Sequence, residues 1–279
     1  MRGERSKENV MPGTVTVTYE VWPTAEEMAL ASAKKFAASV NQAAAQRGVA
    51  RIAISGGSTP KATFKILADP SQPFLASVAW DKLQLYWVDE RCVGPEDPES
   101  NYGVCRDLLL SKVPIPAANV FRMEGELDPQ EAASRYESVL RTNLRLEGAE
   151  VPVFDLVMLG MGPDGHTASL FPHTEALHEE SRLVVANHVL QKETWRITLT
   201  LPVIDRGREV VFEVESAEKT DILAEVLTGP SDPERLPSQL IRPVSGNLLF
   251  LLDSAAAAKL PPATEADAAL GCRVGTLTI

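Results

Sequence analysis

Apolar residues along the chain fall in short, nearly continuous runs separated by amphipathic stretches, a pattern that predicts strands alternating with helices. Val49–Ser55 (VARIAIS), Leu83–Val88 (LQLYWV) and Phe154–Gly160 (FDLVMLG) read as buried strands, the last being the most apolar. A short strand fits Val120–Met123, and further strands fit Arg182–Ala186, Arg196–Leu201, Glu209–Val214 and Leu248–Leu252. Thr24-Ala-Glu-Glu27 has the form of a capping box opening an Ala-rich helix that stops at Gly48. Asp128-Pro-Gln-Glu131 starts a second amphipathic helix reaching about Leu146. Helical patterns also cover Asn101–Lys112, Ala217–Leu227 and Asp253–Leu260. Another helix is expected to run to about Ala68, with Pro60 at its first position and Ser58 or Thr59 as its cap.

Near-continuous apolar strands alternating with helices imply a mostly parallel sheet covered on both faces. The expected fold is α/β: a three-layer α/β/α sandwich with a Rossmann-like sheet. A flexible lead-in is expected over residues 1–14 and a single α/β domain over 15–279. In such sheets ligands sit outside the carboxyl ends of the strands, where strand order reverses. Ser55–Pro60, Asp89–Arg91 and Gly160–Thr167 each follow directly on a strand, so the three segments are expected to build one site.

Composition narrows the partners. The formal net charge is −11, from 38 acidic and 27 basic residues. An acidic surface repels nucleic acid and anionic lipid, so neither is expected as a partner. A phosphate site on this chain must therefore be a local concentration of Lys, Arg and backbone N–H groups. Three cysteines, Cys92, Cys105 and Cys272, stand at unrelated spacings and give neither a disulfide framework nor a zinc pattern. The first ten residues lack the apolar stretch of a secretory signal, and no apolar run reaches the length of a membrane span. A cytoplasmic location is the expectation.

Each motif has a functional and a plain reading. Ser55-Gly-Gly-Ser-Thr-Pro60 is a glycine turn feeding a helix N-terminus, suited to phosphate, or else a tight turn with a Ser/Thr cap. It holds no GxGxxG and no P-loop lysine, which argues against a nucleotide. In Asp89-Glu-Arg91, strand alternation puts Asp89 and Arg91 on one side and Glu90 on the other. An arginine there can hold a phosphate or a developing oxyanion, while the plain alternative is an exposed charged loop. In Gly160-Met-Gly-Pro-Asp-Gly-His-Thr167, glycines allow sharp turns around Asp164 and His166, a pair suited to general-base work near neutral pH. The plain alternative is a loop whose histidine only caps a helix. No HExxH accompanies these residues and no G-x-S-x-G elbow is present, so neither a metal site nor a serine hydrolase is expected. Arg196 and Lys219 are weaker candidates, each a surface charge if seen alone. Lys219, beside a helix start, is dipole-unfavourable and hints at a compensating anion.

Together, ISGGSTP (54–60), VDER (88–91), SNYG (100–103), FDLVMLGMGPDGHTASLFP (154–172), RITLTLPVI (196–204) and LLFLLDSAA (248–256) resemble the 6-phosphogluconolactonases. Their wider superfamily includes glucosamine-6-phosphate deaminase. The GMGPDGHTASLFP block is the specific signal; the glycine turn is not. The resemblance implies a cofactor-free hydrolase of 6-phospho-D-glucono-1,5-lactone; the chain is expected to work without metal and to be a monomer or homodimer. It places Gly56, Gly57, Ser58 and Thr59 around the phosphate, with Arg196 and Lys219 as cationic partners. His166 would activate water with Asp164 beside it, and Asp89 and Arg91 would face the sugar. The Lys219 segment, ESAEKTD, departs from the family's more glycine-rich version. The deaminases differ in lacking Arg after the Asp-Glu pair and in a DGHIAFNEP-like histidine loop. A sugar-phosphate sensor fused to a DNA-binding module would need more than the roughly 20 residues that precede the first helix.

Overall fold

The computed structural model describes residues 15–263, 265–267 and 271–279; the lead-in expected over residues 1–14 lies outside them. In chain order the strands are β1 (Thr16–Trp22), β2 (Ala50–Ile54), β3 (Leu83–Trp87), β4 (Asp89–Arg91), β5 (Val120–Phe121) and β6 (Leu156–Gly160). They continue with β7 (Val184–Val189), β8 (Thr194–Leu199), β9 (Val210–Val214), β10 (Leu248–Asp253), β11 (Glu265–Asp267) and β12 (Cys272–Thr278). The α-helices are α1 (Ala25–Arg47), α2 (Ser58–Leu67), α3 (Asn101–Cys105), α4 (Pro129–Leu144), α5 (Leu201–Asp205) and α6 (Thr220–Thr228).

Successive strand residues face opposite sides of a sheet, so a strand buried at every position is covered on both. All of β9 and β10, and all of β6 but Gly160, are buried. The main sheet has the order β11-β12-β1-β10-β9-β6-β2-β3-β5. Pairing is parallel from β1 through β10, β9, β6, β2 and β3 to β5, and antiparallel where β12 joins β1 and β11 joins β12. Helix α1 packs on β1, β2 and β10, and α2 packs on α1 and β9. This is the three-layer α/β/α sandwich with a mostly parallel sheet.

From β2 the chain adds β3 and β5 on one side; on the other lie β6, β9 and β10, so strand order reverses between β2 and β6. Loops leaving the carboxyl ends of that pair must splay apart, opening a crevice. A second, antiparallel sheet, β4-β8-β7, stands beside it, with α4 against β7 and β8. Its register sets Arg91 directly opposite Arg196.

The N-cap of α1 is Thr24, whose side chain accepts from Glu27 N, and Gly48 closes it at φ 75°. Asp128 caps α4 by accepting from Gln130 N and Glu131 N.

Four expectations need correction. Helix α2 starts at Ser58 with Gly57 as its N-cap, so Pro60 stands at the third position, where a missing N–H is still harmless. The helical pattern over Asn101–Lys112 is α-helical only to Cys105 and then widens to a π-type turn over Arg106–Leu110. The pattern over Asp253–Leu260 yields only a 3-10 turn at Ala256–Lys259, because Asp253 completes β10 and spends its carboxylate on Ser216 N and Ala256 N. Strands β1 and β12 were not foreseen.

Candidate active site

The glycine turn after β2, the end of β4 and the loop after β6 converge on one cleft of about 180 Å³. Ser55, Gly56, Gly57, Ser58, Thr59, Asp89, Arg91, Asn101, Gly160, Met161, Gly162, His166, Ala168 and Lys219 line it with Pro60.

The turn after β2 needs glycine at two positions for different reasons. Gly57 has φ 112° and ψ −171°, a conformation essentially closed to residues with a Cβ, and nothing crowds it. A Cβ on Gly56 would lie inside the Asn101 carboxamide. The turn therefore brings bare backbone to the cleft. Helix α2 has no side-chain N-cap and no acidic residue in its first turn, which leaves its first N–H groups and its positive dipole end for an anion.

In the loop after β6, Asp164 Oδ1 accepts a short hydrogen bond from His166 Nδ1 and a longer one, 3.3 Å, from His166 N. A carboxylate at Nδ1 holds the proton on that nitrogen, so the neutral ring keeps its lone pair on Nε2. Burial raises the Asp164 carboxyl, but the His166 hydrogen bond and ring charge more than offset this and hold its pKa at about 2. It therefore stays anionic at any working pH. The imidazole stacks on Phe171, with centroids 4.0 Å apart and planes 25° from parallel. Gly162 lets the loop fold this tightly: its N–H donates to His166 O at 2.8 Å, and a Cβ there would overlap the imidazole. Gly165 (φ 76°) and Ala168 (φ 50°) take left-handed conformations in the same loop, and Thr167 Oγ1 ties it to Gly160 O at 2.8 Å. A non-glycine residue in that conformation costs energy and persists where the surroundings enforce it.

Asp89 and Arg91 face the cleft while Glu90 turns away, as strand alternation requires. Asp89 Oδ2 accepts from Ser169 Oγ at 2.7 Å, and Arg91 Nη1 donates to Glu99 O at 2.9 Å. Glu90 is buried and accepts from Arg91 N (2.8 Å), Asn101 N (2.7 Å), Tyr102 N (2.8 Å) and Ser100 Oγ (3.2 Å). It thereby anchors the start of α3 and presents Asn101, whose Nδ2 donates to Asp89 O at 3.0 Å.

Lys219 lines the cleft and has no carboxylate ion pair among the described residues. Burial pushes its ammonium down, the nearby Asp164 and Glu218 charges raise it, and Lys192 lowers it further. Arg196 stands outside the lining, opposite Arg91; burial and then Arg91 lower its affinity for the proton, while Asp89 raises it. Among the described residues its Nη1 donates to Thr194 Oγ1 (2.9 Å) and Trp195 O (3.0 Å).

All ten sequence-predicted site residues thus lie in or directly beside one cleft. Asn101 and Ser169 were not assigned a role, although both stand inside segments that carry the resemblance; a polar side chain within such a block was the available signal. Among the described residues no group of three or more His, Cys, Asp or Glu side chains is placed to hold a metal ion, and no helix is long and apolar enough to cross a membrane.

Over residues 23–250 the chain matches the family described as glucosamine-6-phosphate isomerases/6-phosphogluconolactonase. It is 41% identical over 224 residues to a 6-phosphogluconolactonase of Synechocystis, spanning 80% of this chain and 90% of that one. It is 39% identical over 255 residues to a 6-phosphogluconolactonase of Mycobacterium tuberculosis, with coverage of 87% and 98%. The solved 6-phosphogluconolactonase of Trypanosoma brucei is similar at TM-score 0.75 and 29% identity, over 88% of this chain and 100% of that one. A monomeric glucosamine-6-phosphate deaminase shares the fold at TM-score 0.71 and 19% identity, with coverage of 87% and 98%.

Proposed function

The chain belongs to the glucosamine-6-phosphate isomerase/6-phosphogluconolactonase family, and from that premise we propose that it hydrolyses 6-phospho-D-glucono-1,5-lactone to 6-phospho-D-gluconate, the lactone-opening step of the pentose phosphate pathway, using water activated by His166 and no metal. The carrying observation is that the His166 imidazole and the Gly56–Thr59 turn line the same cleft. A phosphorylated lactone requires both at once: an anion grip at one end and a base at the ester carbon.

In this reading the phosphate rests on the Gly56–Thr59 backbone, the Ser58 and Thr59 hydroxyls and the free end of α2, with Lys219 and Arg196 supplying charge. Neutral His166 takes a proton from water at Nε2 as the water oxygen attacks C1. The C1–ring oxygen bond then breaks and His166 returns the proton to that oxygen, leaving an acid that ionises. Asp164 keeps the ring in the required tautomer and stabilises its charged form. Arg91 and backbone N–H groups stabilise the oxyanion, while Asp89, held by Ser169 and Asn101, positions the sugar. A lactone is an activated ester, so no covalent nucleophile or Lewis acid is needed. The test is acid release from freshly prepared 6-phospho-D-glucono-1,5-lactone with a chelator present. Rapid chelator-insensitive hydrolysis is expected. Ammonia release from glucosamine 6-phosphate in place of lactone opening would overturn the assignment.

A further inference from the structure

One side chain in the cleft wall has only a supporting part in the reading above. Asn101, the first residue of α3, is 3% exposed and lines the cleft. It is fixed from two sides. Asn101 N donates to the buried Glu90 at 2.7 Å, and Nδ2 donates to Asp89 O at 3.0 Å and, more weakly, to Asp89 Oδ1 at 3.4 Å. Because Nδ2 meets two acceptors, turning the carboxamide over would set oxygen against oxygen, so the amide has one orientation. Oδ1 then lies against the glycine turn: a Cβ on Gly56 would stand 1.9 Å from it. Among the described residues nothing donates to Oδ1, yet it is not sealed from solvent, so its lone pairs open on the cleft. A carbonyl oxygen only accepts. On a phosphorylated lactone the ionised phosphate, the carbonyl and the ring oxygen only accept as well, which leaves the hydroxyls as the groups that can answer Asn101.

We propose that Asn101 Oδ1 accepts a hydrogen bond from the C4 hydroxyl of the lactone and so selects the gluco over the galacto configuration. The proposal rests on the lactonase reading. Oδ1 stands between the Gly56–Thr59 turn, where that reading places the phosphate, and Asp89, which faces the sugar. C5 carries the ring oxygen, so the hydroxyl nearest the phosphate along the carbon chain is the one on C4. An acceptor held by Glu90 and Asp89 does not swing to follow an epimer whose hydroxyl points elsewhere. Leaving it unmatched costs more than the hydrogen bond itself contributes.

The test is calorimetric binding of 1,5-anhydro-D-glucitol 6-phosphate, a closed ring with no ester to open, against its C4 epimer, 1,5-anhydro-D-galactitol 6-phosphate, and its 3-deoxy analogue. Wild type, Asn101→Ala and Asn101→Ser are compared, with Tm recorded for each. The wild type should bind the gluco ligand about tenfold more tightly than the C4 epimer. Both variants should bind the two epimers within twofold of each other, while the factor lost with the C3 hydroxyl should be the same in all three proteins. Equal binding of the epimers by the wild type overturns the proposal. So does an undiminished preference in a folded variant, or a variant that loses the C3 factor along with the C4 preference, which would mark a general disturbance of the site. No turnover is needed, so the two readings fail separately. A wild type that shows the preference but opens no lactone supports the Asn101 contact and removes the lactonase reading; one that opens the lactone without the preference removes the Asn101 contact alone.

Discussion

At the amino ends of β2 and β6, Asp155 is buried and answered on several sides: Arg47 reaches it at 2.7 Å, Arg208 at 3.4 Å, and Arg51 N donates to it at 2.8 Å. Nearby, Lys35 pairs with Glu209. Around the cleft at the opposite end, Arg91, Arg196 and Lys219 have no carboxylate ion pair among the described residues, although the chain as a whole is strongly acidic. One end spends its charges on the fold. The other withholds them, together with the free N–H groups of α2, the pattern that suits an anion site.

The comparison predicts that substitutions at one end change activity more than stability, and at the other stability more than activity. The largest effect is expected from His166→Ala, which should lower kcat by roughly 10²–10⁴ while barely raising KM; a near-normal kcat would remove His166 as the base. Gly162→Ala comes next. Its Cβ overlaps the imidazole, and a displacement of about 1 Å is worth roughly 10²-fold in rate. Circular dichroism should show the fold retained. Asp155→Ala should act the other way, costing about 1–3 kcal/mol in urea unfolding by stranding Arg47 and the Arg51 N–H, with kcat and KM within twofold. The smallest effect concerns pH. Asp164 is depressed to about 2 in the fold, so its stabilising contribution is complete above the unfolded value of about 3.9 and is lost as pH falls through about 2. Asp164→Asn should flatten the pH dependence of stability in that interval and, because the contribution is complete at neutral pH, forfeit it there.

Much of this was legible because buried parallel strands write themselves as unbroken apolar runs. Leu156–Gly160 and Leu83–Trp87 could be placed from sequence, and with them the loops that follow. Strand β1 alternates instead, with Val17 and Tyr19 buried and Thr18, Glu20 and Trp22 only partly so, and its antiparallel partner β12 lies some 250 residues away. No local pattern reports such a pairing. The candidate site was legible through the glycines and the Asp164–His166 spacing, which describe backbone the ligand must approach. Asn101 was not. It owes its place to the buried Glu90, a contact made across the fold.

The central claim is that one cleft couples a phosphate grip to a histidine base, and the ratio of kcat/KM for 6-phospho-D-glucono-1,5-lactone over its unphosphorylated parent tests it most directly. The wild-type ratio should be on the order of 10²–10⁴, the worth of about two charge-assisted hydrogen bonds. Arg196→Ala should reduce it about tenfold or more, whereas His166→Ala should depress both rates and leave the ratio standing. A wild-type ratio near unity, or a His166 variant that loses activity on only one of the two lactones, would contradict the account.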